Sequence, residues 1–110
     1  PGWARGSLTE AARRGSEILK TAGCVQCHRH ACFTTEELVA TGTAKGLDEG
    51  RKSLVPSLVE VWRTAPYLHD GRAKTLREAV TVHNRGDIRG KTSSLNDREL
   101  EDLVNYVQSL

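Results

Sequence analysis

A C-x-x-C-H pattern formed by Cys24, Cys27 and His28 limits the fold of this 110-residue chain more strongly than any other feature. Two thiols three positions apart can form thioether bonds to the two vinyl groups of one haem, and the next residue, His28, is then placed to ligate the iron from one face. A purely disulfide framework would leave one of the three cysteines unpaired. The pattern therefore predicts one covalently attached haem c.

Three other interpretations compete with haem for this pattern. A thioredoxin-like redox pair requires a strand before the motif, and the residues before Cys24 have a helical pattern instead. Cys24, Cys27, His28, His30 and Cys32 crowd within nine residues and suggest zinc. However, zinc ribbons draw a second ligand pair from farther along the chain, and no cysteine follows Cys32. A disulfide between Cys24 and Cys27 would close a very small ring, so haem is favoured.

Composition supports a haem in the core and narrows the class of protein. The chain has one Phe, two Trp, two Tyr and no Met, so its large side chains would make a marginal core by themselves. With 37% hydrophobic and 27% charged residues it is typical of a globular protein, and its length predicts a single domain, residues 1–110. Its net charge of +2 argues against a strongly basic nucleic-acid binder, and no apolar run is long enough for a transmembrane segment in this chain.

Helical periodicity and capping signals predict an all-α domain of five helical segments without strands. Four capping boxes mark predicted helix starts, namely Ser7 with Glu10, Thr34 with Glu37, Thr75 with Glu78 and Asn96 with Glu99. Gly15 is predicted to face Tyr106 where these two helices cross closely. The predicted segments run from Ser7 to about Ala22, from Thr34 to about Thr41, over Ser57–Trp62, from Thr75 to His83, and from Asn96 to about Ser109.

The second iron ligand decides the chemistry of a haem, because a sixth protein ligand suits electron transfer and an open position admits small molecules. The chain has no Met, so His30, His69, His83 and, less favoured, Cys32 or a Tyr are the candidates. His30 is too close to His28 in sequence to reach the opposite haem face easily. His69 lies in a predicted turn. His83 follows the apolar positions of its predicted helix, and we favour it as the sixth ligand.

Three further segments, residues 55–58, 64–72 and 75–80, closely resemble the C-terminal haem domain of the bacterial dihaem cytochrome c peroxidase family. The most specific part is Pro66-Tyr67-Leu68-His69-Asp70-Gly71. Together with the C-x-x-C-H motif and the last helix, the likeness covers about three quarters of the chain. The resemblance implies a class I cytochrome c fold and an electron-entry role, with a Met as sixth ligand fourteen residues after the signature histidine. In this sequence that position is His83.

The departure from the family pattern at His83 changes the expected properties. Histidine ligation generally lowers the reduction potential relative to methionine, so the expected protein is a bis-histidine, low-spin, lower-potential cytochrome. A related maturation enzyme family has Tyr at this position. The second haem domain of the family, which performs the peroxide chemistry, is also missing from this sequence. We therefore expect one-electron transfer between a redox donor and an acceptor protein, and no enzyme activity.

Two alternatives keep His83 labile: a peroxidase-type haem enzyme and a haem-based ligand sensor. The chain is also compatible with a subunit or fragment of a larger redox assembly that contains other haem subunits. Thioether attachment in c-type cytochromes implies export, so the periplasm, the cell surface or the extracellular space is the expected location. Residues 53–95 carry seven Lys or Arg against four acids, which favours an acidic redox partner unless this surface is simply solvated.

Four residues complete the predicted site, each with an alternative. The Pro56 carbonyl is a candidate acceptor for the imidazole N–H of His28, since ligating histidines usually have such a partner; otherwise it is a turn proline. Arg72 is a candidate partner of a haem propionate, or else a surface arginine. Trp62 and Tyr67 are expected to pack on the haem edge, or else to belong to an ordinary core.

Overall fold

The computed structural model describes residues 8–29, 31–40, 47, 50–68 and 70–110. In this part of the chain, three α-helices accompany a two-stranded antiparallel sheet. The helices are α1 (Glu10–Thr21), α2 (Leu76–Val80) and α3 (Asp97–Gln108), and the strands are β1 (Thr35–Val39) and β2 (Ser53–Val55). Three one-turn 3-10 helices, Cys24–Gln26, Val61–Arg63 and Arg85–Asp87, lie between them.

The first and last helices form the frame of the domain and cross at Gly15, as predicted. Gly15 is buried, and a Cβ atom there would overlap the carbonyl oxygen of Asp102 and lie 2.7 Å from Cβ of Tyr106. Helix α1 begins after Thr9, whose hydroxyl accepts a hydrogen bond from the N–H of Ala12 at 3.1 Å. The predicted Ser7 cap lies outside the described residues.

An ion pair fastens α1 to α3 beside this crossing. The Arg14 guanidinium donates to both oxygens of the Asp102 carboxylate, at 2.7 and 3.1 Å. Asp102 is buried, and its hydrogen bond with Arg14 lowers the pKa of the carboxyl group. The bidentate geometry fixes the relative orientation of the two helices as well as their contact.

The predicted helix over Thr34–Thr41 is wrong, because these residues contain strand β1. Thr35 pairs with Val55 and Val39 pairs with Ser53, with an irregularity between them. β-branched side chains favour a pleated strand, and the Thr34 hydroxyl donates to the carbonyl of Val55 instead of capping a helix. The domain is therefore not purely helical.

The predicted helix over Ser57–Trp62 is also wrong in extent, since only the 3-10 turn Val61–Arg63 forms there. The hydroxyl of Ser57 accepts from the N–H of Val59 at 3.1 Å, which closes a local turn. Glu60 then adopts a left-handed conformation with φ 55°. This conformation separates the turn from the preceding residues, so five α-helices are not confirmed.

Helix α2 is capped as predicted but ends before His83. The Thr75 hydroxyl accepts from the N–H of Glu78 at 3.1 Å. The Ala79 carbonyl, which His83 would use in a continued helix, accepts from Arg89 instead, and the N–H of His83 donates to Glu78. His83 therefore lies in a turn beyond the helix rather than in its last turn.

The core lies where α1, α3 and the Val61–Arg63 turn meet. Its buried centre consists of Leu19, Val61, Leu103 and Val107. Cys24, the first cysteine of the C-x-x-C-H pattern, packs against this centre, as do Phe33, Tyr67 and Leu76 among other partly buried residues. In the residues that the structure describes, no helix is long and apolar enough to span a bilayer.

Candidate haem-binding site

The C-x-x-C-H motif begins directly after α1 because Gly23 reverses the chain there. Gly23 has φ 83° and precedes the 3-10 turn Cys24–Gln26. A left-handed residue after a helix is readily supplied by glycine, which has no Cβ to clash. The carbonyl of Cys24 then accepts from the N–H groups of Cys27 and His28, at 3.3 and 2.9 Å. These bonds hold the two cysteines and the histidine in one compact turn.

Both motif cysteines are free thiols and both are partly buried, which argues against a disulfide between them. Burial raises the pKa of the Cys24 thiol. Among the residues that the structure describes, no group of three His, Cys, Asp or Glu is arranged to hold a metal ion. Neither the disulfide nor the zinc interpretation therefore gains support, although His30 lies outside the described residues.

The His28 imidazole is held by a backbone carbonyl, as expected for a ligating histidine. Its Nδ1 lies 2.9 Å from the carbonyl oxygen of Phe33. Burial lowers the pKa of His28, while the Phe33 and Pro56 carbonyls raise it to a smaller extent. In the neutral ring with Nδ1–H donating to Phe33, the lone pair of Nε2 is available to a metal.

Phe33 is the acceptor residue that sequence reasoning missed. The sequence singled out Pro56, whose carbonyl also raises the pKa of the ring as a backbone hydrogen-bond partner, but the 2.9 Å contact of Nδ1 is with Phe33. An antiparallel bridge between Arg29 and Thr34 folds the chain back after the motif, and Phe33 takes φ 52° in this turn. Every residue has a backbone carbonyl, so the residue type at position 33 does not identify it as the acceptor. Only a prediction of the turn after the motif could have done so.

His83, the predicted sixth ligand, is partly buried and held through its backbone. Its N–H donates to the Glu78 carbonyl at 3.1 Å, and its own carbonyl accepts from Arg89. No described residue forms a hydrogen bond with the imidazole of His83. Within the described residues both ring nitrogens therefore remain available to a metal, but the carbonyl that holds the His28 ring has no counterpart at His83.

Tyr67, Trp62 and Arg72 have different surroundings. Tyr67 packs against the core and pairs with Ala73, and burial raises the pKa of its hydroxyl. Trp62 is 41% exposed and has the Arg63 guanidinium 5.8 Å from its ring centre, so it is not ordinary core. Arg72 donates to both carboxylate oxygens of Asp70, at 2.9 and 2.7 Å.

The loop after His83 lies directly on the attachment motif, which sequence reasoning did not foresee. A Cβ atom at Gly90 would lie 3.1 Å from Sγ of Cys24 and 3.3 Å from the carbonyl oxygen of Ala22. The N–H of Lys91 donates to that same carbonyl at 2.8 Å. Because glycine has no side chain, residue 90 does not crowd the Cys24 thiol.

These residues fit a covalent haem. The site offers two unpaired thiols, an imidazole held at Nδ1 by a backbone carbonyl, and a glycine where a larger residue would press on Cys24. His83 supplies a second imidazole, which no other described residue binds through a hydrogen bond. Cys24, Cys27, His28 and His83 would hold the group.

Comparison with known proteins agrees with this chemistry. The chain matches the cytochrome c family over residues 12–110. It is 29% identical to hydrazine synthase subunit gamma of Kuenenia stuttgartiensis over 97% of this chain, and 31% identical to the methylamine utilization protein MauG of Methylorubrum extorquens over 98%. It is also 28% identical to the cytochrome c peroxidase Ccp of Escherichia coli over 98%.

The fold has a counterpart among solved structures. A chain of Kuenenia stuttgartiensis hydrazine synthase, solved under xenon pressure, superposes with a TM-score of 0.86 over 97% of this chain, at 27% identity. This chain covers 48% of that structure's chain. It covers 43% of the curated gamma subunit, 37% of the MauG protein and 27% of Ccp. Each of these relatives is therefore more than twice as long as this chain.

These relatives overturn one expectation and confirm others. The expectation of no enzyme activity is wrong, because the matching proteins are named as peroxidases and as a synthase subunit. The expected covalent haem and the likeness to the dihaem peroxidases are confirmed. With the family matched over residues 12–110 and the fold superposed over nearly its full length, this chain belongs to the cytochrome c family.

Proposed function

We propose that this chain is a haem domain that passes single electrons within a haem enzyme related to the dihaem cytochrome c peroxidases. Cys24 and Cys27 attach the haem, and His28 and His83 are its axial ligands. A covalently bound haem supplies one-electron exchange between ferric and ferrous iron. The surrounding residues hold the two imidazoles and determine which small molecules reach the metal.

This proposal rests mainly on which atoms of the two histidines form hydrogen bonds and which are left for a metal. The Nδ1 atom of His28 lies 2.9 Å from the Phe33 carbonyl oxygen, the arrangement in which a neutral imidazole presents Nε2 to a metal. His83 has its N–H and carbonyl engaged while its ring has no hydrogen-bond partner among the described residues. The His28 ring is oriented for an iron through its second nitrogen, whereas at His83 the backbone bonds fix the position of the residue and leave its ring nitrogens available.

The proposed function includes a cellular location and redox partners for the domain. Residues 1–110 form one cytochrome c domain, exported with the rest of its protein to the periplasm or cell surface, where thioether attachment takes place in c-type cytochromes. A redox protein or another haem in the same assembly delivers the electron, and a second haem receives it. The relatives named as peroxidases, MauG and hydrazine synthase support a catalytic assembly rather than a free carrier.

Low-temperature EPR of the ferric protein tests the ligation. We expect a low-spin signal in the native protein and conversion to high spin in a His83→Ala variant, because removal of the sixth ligand leaves the iron with a weak or absent ligand. A His69→Ala variant is the matched control, since His69 is the competing histidine in the sequence, and it should keep the native signal.

High-spin iron in the native protein would contradict bis-histidine ligation. It would favour the second candidate function, a site where peroxide or another small ligand binds directly to the iron. The position of His83 in a turn beyond α2 is the observation that keeps this candidate open. Peroxide-dependent spectral changes in the native protein would then identify it.

A further inference from the structure

We infer that Arg89 is the residue that positions His83, and that it does so by clamping the turn between α2 and the loop over Cys24. The inference rests on the proposed role of His83 as the sixth ligand. In this role Arg89 does not contact the haem. Arg89 acts on the backbone of His83, which carries the imidazole.

The Arg89 side chain binds the end of α2 and the backbone of His83 together. One terminal nitrogen, Nη2, donates to the carbonyl of Ala79 at 2.9 Å and to the carbonyl of His83. The last carbonyls of a helix lack intrahelical partners and carry partial negative charge, so a guanidinium is a favourable cap. Arg89 thereby takes the acceptor that the N–H of His83 would use in a continued helix.

Arg89 is buried more than an ordinary surface arginine, which indicates that its position is specific. It is partly buried, and burial lowers the pKa of its guanidinium, with a smaller contribution from the positive charge of Arg72. Burying a cation is costly unless hydrogen bonds compensate. The Ala79 and His83 carbonyls provide this compensation.

Asn84 fixes the backbone of Arg89 as firmly as the carbonyls fix its side chain. Asn84 is 5% exposed, and its side-chain oxygen accepts from the N–H of Arg89 at 2.9 Å. Its side-chain nitrogen donates to the Gly90 carbonyl and to the Thr92 hydroxyl, both at 2.9 Å. The Thr92 hydroxyl in turn donates to the Val80 carbonyl. These bonds close the loop onto α2.

The other end of the same loop is bonded to the attachment motif. The N–H of Lys91 donates to the Ala22 carbonyl at 2.8 Å, and Gly90 lies against Cys24. Residues 83–92 therefore connect the sixth-ligand candidate to the segment that carries the thiols and His28. A loop bonded at both ends restricts how far His83 can move from the iron.

The chemistry of arginine allows a sharp test, because lysine keeps the charge but lacks the planar fork. Arg89→Met removes both charge and clamp, and Arg89→Lys keeps the charge alone. Arg85→Met is the matched control, since Arg85 is an exposed arginine in the same loop. Circular dichroism and haem-to-protein ratio verify that each variant is folded and loaded.

The readouts are the ferric spin state and the affinity for added imidazole, which competes with His83 for the iron. We expect Arg89→Met to bind imidazole about tenfold more tightly than the native protein, since loss of a residue supporting a metal ligand typically costs 10–100-fold. We expect a smaller increase for Arg89→Lys and none for Arg85→Met. A high-spin fraction in Arg89→Met would support the same conclusion.

The two proposals fail in different ways. Native imidazole affinity and spin state in Arg89→Met, with high-spin iron in His83→Ala, would overturn the role of Arg89 and leave the proposed ligation intact. A native spectrum unaffected by His83→Ala would overturn both. If Arg89→Met does not retain haem, Arg89→Lys decides the question, and native affinity in that variant would overturn the clamp.

Discussion

Gly90 illustrates how a single backbone conformation controls the surroundings of Cys24, a thiol that we propose to bind haem. Its φ of 122° is accessible to glycine and strongly disfavoured for residues with a side chain. The nearest atoms to a Cβ at this position would be Sγ of Cys24 and the Ala22 carbonyl oxygen. A substitution at Gly90 therefore acts on both the loop and the thiol.

We expect Gly90→Ala to reduce thioether formation at Cys24. The new methyl group would press on the sulfur from 3.1 Å, and the backbone strain would cost about 1–3 kcal/mol. Mass spectrometry of the purified protein, with and without tryptic digestion, measures the fraction of chains whose haem is bonded to Cys24.

Gly86→Ala provides the control for this experiment. Gly86 also has positive φ, at 76°, but its Cβ would meet only the Ile88 side chain at 4.0 Å. The strain there should lower stability by about 1 kcal/mol without affecting attachment. Equal attachment in Gly90→Ala and Gly86→Ala would show that crowding of Cys24 is unimportant.

Helices α1 and α3 approach each other closely enough that backbone and side-chain atoms of one meet the backbone of the other. Gly15 is the contact point, and the Arg14–Asp102 ion pair lies beside it. The contact leaves no space for even a methyl group. In an isolated helix, a Gly→Ala substitution would increase helix stability by about 1 kcal/mol through helix propensity. Destabilisation by Gly15→Ala would therefore reflect the contact with α3, and stabilisation would reflect propensity.

We expect Gly15→Ala to destabilise the domain by about 2 kcal/mol, because overpacking a rigid contact typically costs 1–3 kcal/mol. Chemical unfolding of the haem-loaded protein, followed by circular dichroism, measures this change. Arg13→Ala on the exposed side of α1 is the control, and it should change the stability by less than about 0.5 kcal/mol. A stabilised Gly15→Ala variant would show that the helices separate easily.

The same helices show which parts of the fold were accessible from sequence. The Asn96–Glu99 capping box and the Thr75 cap formed as predicted because both partners lie within four residues. The similar pattern at Thr34 and Glu37 failed because Thr34 bonds to Val55, twenty-one residues away. Strand pairing depends on contacts that a local pattern does not contain.

The candidate site divides in the same way. The spacing of the thiols and His28 predicts haem attachment and ligation, and His83 stays a prediction as the sixth ligand, with no hydrogen bond to its ring among the described residues. The Phe33 carbonyl and the clamp of Arg89 and Asn84 were missed. They act through backbone atoms and through a loop whose composition indicates only that it is polar. Long-range backbone contacts of this kind appear only once the chain is folded.

The core of the domain is small for a chain of this length, and this affects its stability as a unit. Among the described residues, nine apolar residues are buried and three of them are alanines. Leu103 is the large apolar side chain that is fully buried in this described part of the chain. A core of such size leaves a domain close to the lower limit of stability, so the covalent haem would contribute much of the apolar contact.

We therefore expect the haem-free chain to lose cooperative folding. The comparison is between holoprotein and a Cys24→Ser, Cys27→Ser variant purified without haem, with thermal unfolding followed by far-ultraviolet circular dichroism. The holoprotein should unfold in a sharp transition, whereas the haem-free variant should show reduced helicity and a broad, lower transition, because a group bound only by the native state stabilises that state. His83→Ala holoprotein separates haem attachment from axial ligation, and it should stay close to the native midpoint. A haem-free variant that melts sharply within a few degrees of the holoprotein would show that the α1–α3 packing, with the Arg14–Asp102 ion pair, is sufficient to fold the domain.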